Sequence, residues 1–143
     1  MNFLSYTHPV LSCQEAKVLE SCALVDEAAE WAAMKLAGQG IAKHLVQDYA
    51  ELRSPPEYLR ILALIGKGNN GGDALIACGQ LLADFPRARV ELILTLPSEE
   101  LRPLAARALQ QLEGRVEVHQ ISDQNDVSEI TQVLSDAAGS EGF

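Results

Sequence analysis

Two hydrophobic rhythms alternate along this chain. Up to residue 50 apolar residues return every three or four positions, and from residue 59 short unbroken apolar runs alternate with further helical stretches. Ser12-Cys13-Gln14-Glu15 is a capping box, in which the Ser12 hydroxyl accepts from the Glu15 amide and the Glu15 carboxylate reaches back to the Ser12 amide. Val18, Cys22 and Val25 follow at helical spacing and predict a first helix from residue 12 to the mid-20s. Trp31, Met34, Gly38, Ile41, Leu45 and Tyr49 form a longer stripe, with Lys35, Lys43, Gln47 and Asp48 off it. That stripe predicts a second helix over 28–50, closed by Ser54-Pro55-Pro56. Gly38 within it costs about 1 kcal/mol against Ala, which points to close helix packing at that position.

The run 59–65, LRILALI, is continuous and ends at Gly66, so it reads as a strand buried on both faces, as in a parallel sheet. A glycine-rich loop at 66–73 leads to a helix over 74–83, and 90–96 is a second strand. Ser98 opens a helix carrying Leu101, Leu104, Ala105, Ala108 and Leu112, with Pro103 in its first turn. The alternating run 116–121 predicts a third strand nearer an edge; a last helix from Asp126 carries Ile130, Val133 and Leu134, and 139–143 is a loose tail. Two helices followed by βαβαβα imply an α/β fold: a Rossmann-like three-layer αβα arrangement around a parallel sheet, with residues 1–143 as one domain. The sheet is incomplete on this reading. Strand one falls at an edge although it is composed like a central strand, and such an edge is normally covered. The chain is therefore expected to be truncated or covered by another chain, as in a homo-oligomer.

Twenty acidic against eleven basic side chains give a net charge of −9, which argues against nucleic-acid and anionic-membrane partners. The opening MNFLSYTHPV lacks the pattern of a secretory signal, and no apolar run nears the roughly 20 residues of a membrane span. Cys13, Cys22 and Cys78 have no metal-ligand spacing and read as buried free thiols in a reducing cytoplasm. His8, His44 and His119 are scattered and read as surface or helix-end residues.

The chemistry concentrates in the loop. Gly66, Gly68 and Gly71 match GxGxxG between a strand and a helix, where glycines allow positive-φ backbone and close ligand approach, and where helix-start amides favour an anion. The acidic residue that closes the second strand in dinucleotide folds is missing, since that strand ends Thr95-Leu96-Pro97, and no Gly-Lys-Ser/Thr follows for a P-loop. Asn69 and Asn70 offer amide donors and carbonyl acceptors and tolerate left-handed backbone, and Asp73 falls at or near the helix N-cap. Plain turn and cap chemistry would also use these residue types. Lys67 either pairs with a ligand pyrophosphate or is simply solvated.

GKGNNGGDA at 66–74 resembles the GxGNNGGDG signature of the YjeF N-terminal domain, the NAD(P)HX epimerase family. His8-Pro9-Val10-Leu11-Ser12 resembles that family's opening, and Met34-Lys35-Leu36-Ala37-Gly38 its Met-Glu-Asn-Ala-Gly motif, so the likeness covers residues 8–135. It implies an isomerase of metabolite repair that interconverts R and S hydrates of NADH and NADPH, with a dehydratase partner, fused or separate. It places Asn69, Asn70, Gly71, Gly72 and Asp73 at the substrate, Gly66, Lys67 and Gly68 in the phosphate loop, and potassium on Asn70. An oxygen-only donor set suits such a hard cation. Departures are Ala74 for the final Gly, and Lys35 and Leu36 for Glu and Asn. The family's later Asp-containing Gly-Thr-Gly-type segment has no counterpart in 122–143, where Asp123, Asp126 and Asp136 match no motif, so no catalytic residue is assigned. The expectation is a domain incomplete or inactive alone. The alternative is a non-catalytic nucleotide-binding, dimerisation or interaction module, a use of this domain in RNA-processing relatives.

Overall fold

The computed structural model describes residues 10–54, 56 and 58–121, with Ser128, Thr131, Gln132 and Ser135 as helical positions beyond them. It divides into two compact units, Met1–Ala33 and Met34–Phe143. Helix α1 (Cys13–Ala23), in the first unit, opens on the expected capping box. The Ser12 amide donates to Glu15 Oε2 at 2.8 Å and the Glu15 amide to Ser12 Oγ at 3.3 Å. These bonds favour the ionised form and hold the Glu15 carboxyl below its usual range. No residue of α1 is buried. Cys13 and Cys22 are consequently exposed, against the expectation of three buried thiols. Only Cys78 is buried, and desolvation pushes its thiol up to about 11.

Helix α2 (Glu27–Leu52) starts in the first unit and continues into the second. Asp26 caps it, accepting from the Ala29 amide at 2.8 Å. Trp31, Met34 and Gly38 are buried as the stripe requires. Beyond Gly38 the buried line runs through Ala42 and the partly buried Val46, while Ile41 and Leu45 are about half exposed. The expected stripe followed the large residues; the helix instead presents its small ones, because a close neighbour leaves room only for Ala and Gly.

Strands β1 (Arg60–Ile65), β2 (Arg89–Leu94) and β3 (Glu117–Gln120) form a parallel sheet in the order β1-β2-β3. Helix α3 (Asn69–Asp84) links the first pair, and a 3-10 turn (Ser98–Glu100) with α4 (Pro103–Gln110) links the second. Register places Ile61, Ala63 and Ile65 beside Val90, Leu92 and Leu94, so these six share one face. Ile61 packs there on Ala42 of α2 and on Ala77 and Leu81 of α3. Burial on both faces, expected of strand one, belongs to β2, where Val90 through Leu94 are all buried. In β1 Leu64 is 66% exposed, because this strand lies at the sheet's edge as its position in the chain implied. The single helix expected from Ser98 is two elements. Proline disfavours helical backbone in the residue before it, and Arg102 is extended (φ −62°, ψ 151°), so α4 begins afresh with Pro103 in its first turn. His8, the hydrophobic residues of the last helix, Asp123, Asp126, Asp136 and the tail lie outside the described residues.

Candidate functional site

The glycine-rich segment sits at the carboxyl end of β1, the side of a parallel α/β sheet where ligands bind. Two bonds to the Ile65 carbonyl, from the Thr95 amide at 3.1 Å and Thr95 Oγ1 at 3.2 Å, lock this end of β1 to β2. Gly68 is the N-cap of α3, with extended backbone. Helix formation thus starts at Asn69, five residues earlier than the spacing predicts, and Asn69 to Asp73 are helical, not loop. Asp73 lies a turn inside the helix, not at its cap. Neither asparagine uses left-handed backbone, and Gly114 is the only positive-φ residue among those described.

What these glycines provide is room. A Cβ on Gly71 would stand 2.1 Å from the Gly66 carbonyl oxygen. One on Gly72 would meet Met34 Cε and Sδ at 2.6 Å, and one on Gly38 would meet Ile76 Cβ at 2.5 Å and the Asp73 carbonyl oxygen at 2.6 Å. Three missing side chains therefore let α2 and α3 close on one another and on the end of β1. At Gly66 and Gly68 the same construction meets nothing within 4 Å, so the approach side is open there. The Gly68 carbonyl accepts from the Gly71 and Gly72 amides at 3.1 and 3.4 Å. Within the helix the Asn69 and Asn70 amides have no carbonyl to donate to, and with the positive end of the helix dipole they face an incoming anion.

Around this opening Asn69 and Asn70 are exposed and Asp73 is half-buried. Among the described residues Asp73 has no hydrogen-bond or ion-pair partner, and desolvation pushes its carboxyl above the usual range. A partly desolvated carboxylate left unpaired beside a helix start is a candidate binding group. Lys67 Nζ lies 3.8 Å from Glu100 Oε2, both well exposed, a loose solvated pair that leaves the ammonium at the mouth of the site. The Lys67 carbonyl accepts from the Arg102 amide at 3.4 Å, tying the loop to the start of α4. For potassium the chain offers the Asn70 amide oxygen and the Asp73 carboxylate, oxygen donors of the right chemistry.

A second polar cluster was not legible beforehand. Parallel register sets Glu91 beside Glu117, Arg60 and Arg89 join them at the amino ends of the strands, opposite the glycine loop, and His119 follows two residues along β3. Arg60 donates to buried Glu91 at 3.0 Å and Arg89 to Glu117 at 2.7 Å, and Arg89 Nε forms an ion pair with the same Glu91 oxygen at 3.3 Å. The Arg89 hydrogen bond holds the Glu117 carboxyl below its usual range. Carboxylate and imidazole atoms of Glu91, Glu117 and His119 lie within 4.8 Å of one another, yet two guanidiniums already neutralise the carboxylates, and a dication would enter against both. His44 is exposed, as expected; His119 is half-buried and its Nε2 has no partner among the described residues.

Residues 31–139 match the sequence model of the family described as YjeF-related protein N-terminus. A bifunctional NAD(P)H-hydrate repair enzyme, Nnr, from Salinibacter ruber is 34% identical over 108 residues, covering 71% of this chain and 19% of that protein. Pyridoxine/pyridoxamine 5'-phosphate oxidase 1, chloroplastic, from Arabidopsis thaliana is 48% identical over 48 residues, covering 34% of this chain and 8% of that one. The crystal structure of yeast YNL200c superposes with a TM-score of 0.64 at 21% identity, over 85% of this chain and 51% of that one, a likeness of fold. The chain thus spans about half of that solved structure and under a fifth of either curated relative. No helix among the described residues is long and apolar enough to cross a membrane.

Proposed function

Because the chain belongs to the YjeF-related N-terminal family, we propose that it is an NAD(P)HX epimerase-like domain that binds hydrated nicotinamide nucleotides, R- and S-NADHX or NADPHX, in metabolite repair. The observation that carries this reading is the unpaired, half-buried Asp73 beside the open Gly66–Gly68 segment at the start of α3. The repair activity printed in the name of the Salinibacter relative supports it. In this reading the Asn69 and Asn70 amides, with Lys67 and the open backbone of Gly66 and Gly68, receive the nucleotide's phosphates. Gly71 and Gly72 hold the helix start close to β1, and Asp73 accepts hydrogen bonds from a substrate hydroxyl. Potassium, held through Asn70, would supply positive charge that offsets the phosphates. These residues bind and orient, and no proton-transferring group is assigned among them, so the domain is proposed to be inactive by itself. A dehydratase, fused or separate, would consume the S hydrate. Three free cysteines suit a reducing cytoplasm.

Two assays on the purified chain test this reading. NADPHX in potassium buffer is expected to raise the melting temperature, more than in sodium buffer and more than inorganic phosphate does. A coupled assay on R-NADPHX with an S-specific dehydratase is expected to show only the spontaneous epimerisation rate. An equal shift from phosphate alone would reduce the site to a generic anion loop, and a rate enhancement lost on Asp73→Ala would overturn the claim of inactivity.

The outer edge of β1 favours a second reading, association. RILALI has neither a proline nor a bulge to guard it, and Leu64 and Tyr58 are 66% and 68% exposed beside it. We propose that a second copy pairs there. Sedimentation is expected to show a concentration-dependent dimer that Leu64→Lys shifts to monomer; a monomer at every concentration would remove this reading.

A further inference from the structure

A groove follows α2 and α3 from Leu75 and Ile76 towards Phe85. Its bank on α2 is built from Lys35, Gln39, Lys43 and Gln47, which recur every four residues and so follow one ridge of the helix. A hydrogen bond from Gln39 Nε2 to Gln80 Oε1, 3.5 Å long, divides the groove into cavities of about 210 and 380 Å³. Leu75, Ile76 and Leu112 floor the first, and Val46 and Phe85 the second. Arg115 stands on the far side of the first cavity. Asp84, at the end of the second, is the one carboxylate lining either cavity, and Gln80 Nε2 already donates to it at 2.9 Å.

Charge sets this groove apart. The chain carries a net charge of −9 and has acids available to pair its cations. Even so, among the described residues five cations have no carboxylate partner, Lys17, Lys35, Lys43, Arg102 and Arg115, and three of the five line this groove. A local patch of opposite sign on an acidic surface steers and orients an anionic partner. Its dimensions select among anions. Lys35 and Lys43 are two turns apart, roughly 12 Å along the helix, too far for one phosphate or carboxylate to bridge. Lys35 to Gln47 spans roughly 18 Å, the length of about five residues of extended chain. The second cavity is mainly apolar, which suits a side chain better than a sugar–phosphate backbone, and Gln39, Gln47, Gln80 and Gln111 carry both donors and acceptors for a peptide backbone.

We infer that this groove docks an extended acidic peptide segment of a partner protein. Its Asp or Glu side chains meet Lys35, Lys43 and Arg115, an apolar side chain enters the second cavity, and the glutamines bond its main chain. The test is fluorescence anisotropy of a fluorescein-labelled peptide of alternating Glu and Leu, titrated with the full chain. Saturable binding is expected that weakens with salt and falls at least tenfold in K35E/K43E, a variant whose substituted side chains are exposed, so its melting temperature is retained. K35R/K43R is expected to bind as the parent does. Asp73→Asn, which removes the carboxylate central to the nucleotide reading, is expected to leave peptide binding unchanged, so the two readings fail separately. Absence of saturable binding at low salt, undiminished binding by K35E/K43E, equal binding of a Lys-Leu peptide, or displacement by equimolar oligo-dT or phosphate would each overturn the inference.

Discussion

Gly71→Ala is expected to lower the melting temperature by on the order of 10 °C, the largest loss among single-methyl additions at the described glycines. The added Cβ would stand 2.1 Å from the Gly66 carbonyl oxygen, so the obstacle is backbone on both sides. Gly66 cannot retreat freely, because the neighbouring Ile65 carbonyl is held by two bonds from Thr95. Overpacking of this kind costs typically about 1–3 kcal/mol, and a backbone collision belongs at or above the upper end. Gly72→Ala meets only the thioether end of Met34, which can rotate away, and is expected to lose less than half as much. Gly79→Ala is the control, since its Cβ would reach Leu112 Cδ2 at an ordinary 3.4 Å inside α3 and Ala favours helix by about 1 kcal/mol. Thermal and urea melts of the three variants give the order directly. If Gly71→Ala melts with the parent, the close approach of α3 to the end of β1 is wrong.

Asp73→Asn is expected to separate stability from binding. Desolvation raises the folded-state pKa of Asp73, so the ionised carboxylate works against folding wherever pH exceeds that value. The penalty is full at neutral pH, shrinks as pH falls through the raised folded pKa, and is gone below the unfolded value of about 3.9. An amide carries no such penalty. The variant is therefore expected to melt higher than the parent at pH 7 and to lose that advantage in acid, while the rise in melting temperature given by NADPHX disappears. A variant that melts lower at pH 7 would mean that the carboxylate has a stabilising partner. A retained nucleotide shift would remove Asp73 from the site.

Local chemistry was legible from the chain alone wherever one or two residues decide it. The Ser12–Glu15 box, the parallel strands, the edge positions of β1 and β3 and the close packing at Gly38 all follow from spacing. Decisions made by tertiary neighbours were not legible. Ala42 and Val46, not Ile41 and Leu45, carry the buried line of α2, because room beside α3 outweighs hydrophobic size. Asn69 and Asn70 read as turn residues, yet they open α3, where low helix propensity matters little because the first amides have no intrahelical partners. Pro103 does stand in a first turn, but in that of a new helix, because it holds Arg102 extended and separates α4 from the turn that Ser98 opens. The motif picks out the glycine-rich segment but not its conformation: the glycines supply room where the spacing predicts positive-φ backbone, and only contact with the Gly66 carbonyl, Met34 and Ile76 reveals that. The Arg60, Arg89, Glu91, Glu117 network depends on register, which no single segment contains.

Every strand pairing among the described residues is parallel, and this governs the order in which they can assemble. Parallel neighbours cannot meet through a tight hairpin. Before β1 finds β2 the whole of α3 must fold back between them, and before β2 finds β3 the same holds for the turn and α4. Non-local closures of this sort slow folding and keep apolar strands exposed while the chain searches. The helices are free to form early, each from its own local contacts, whereas the sheet can be completed only late. β2, the strand common to both closures, is where that delay is concentrated.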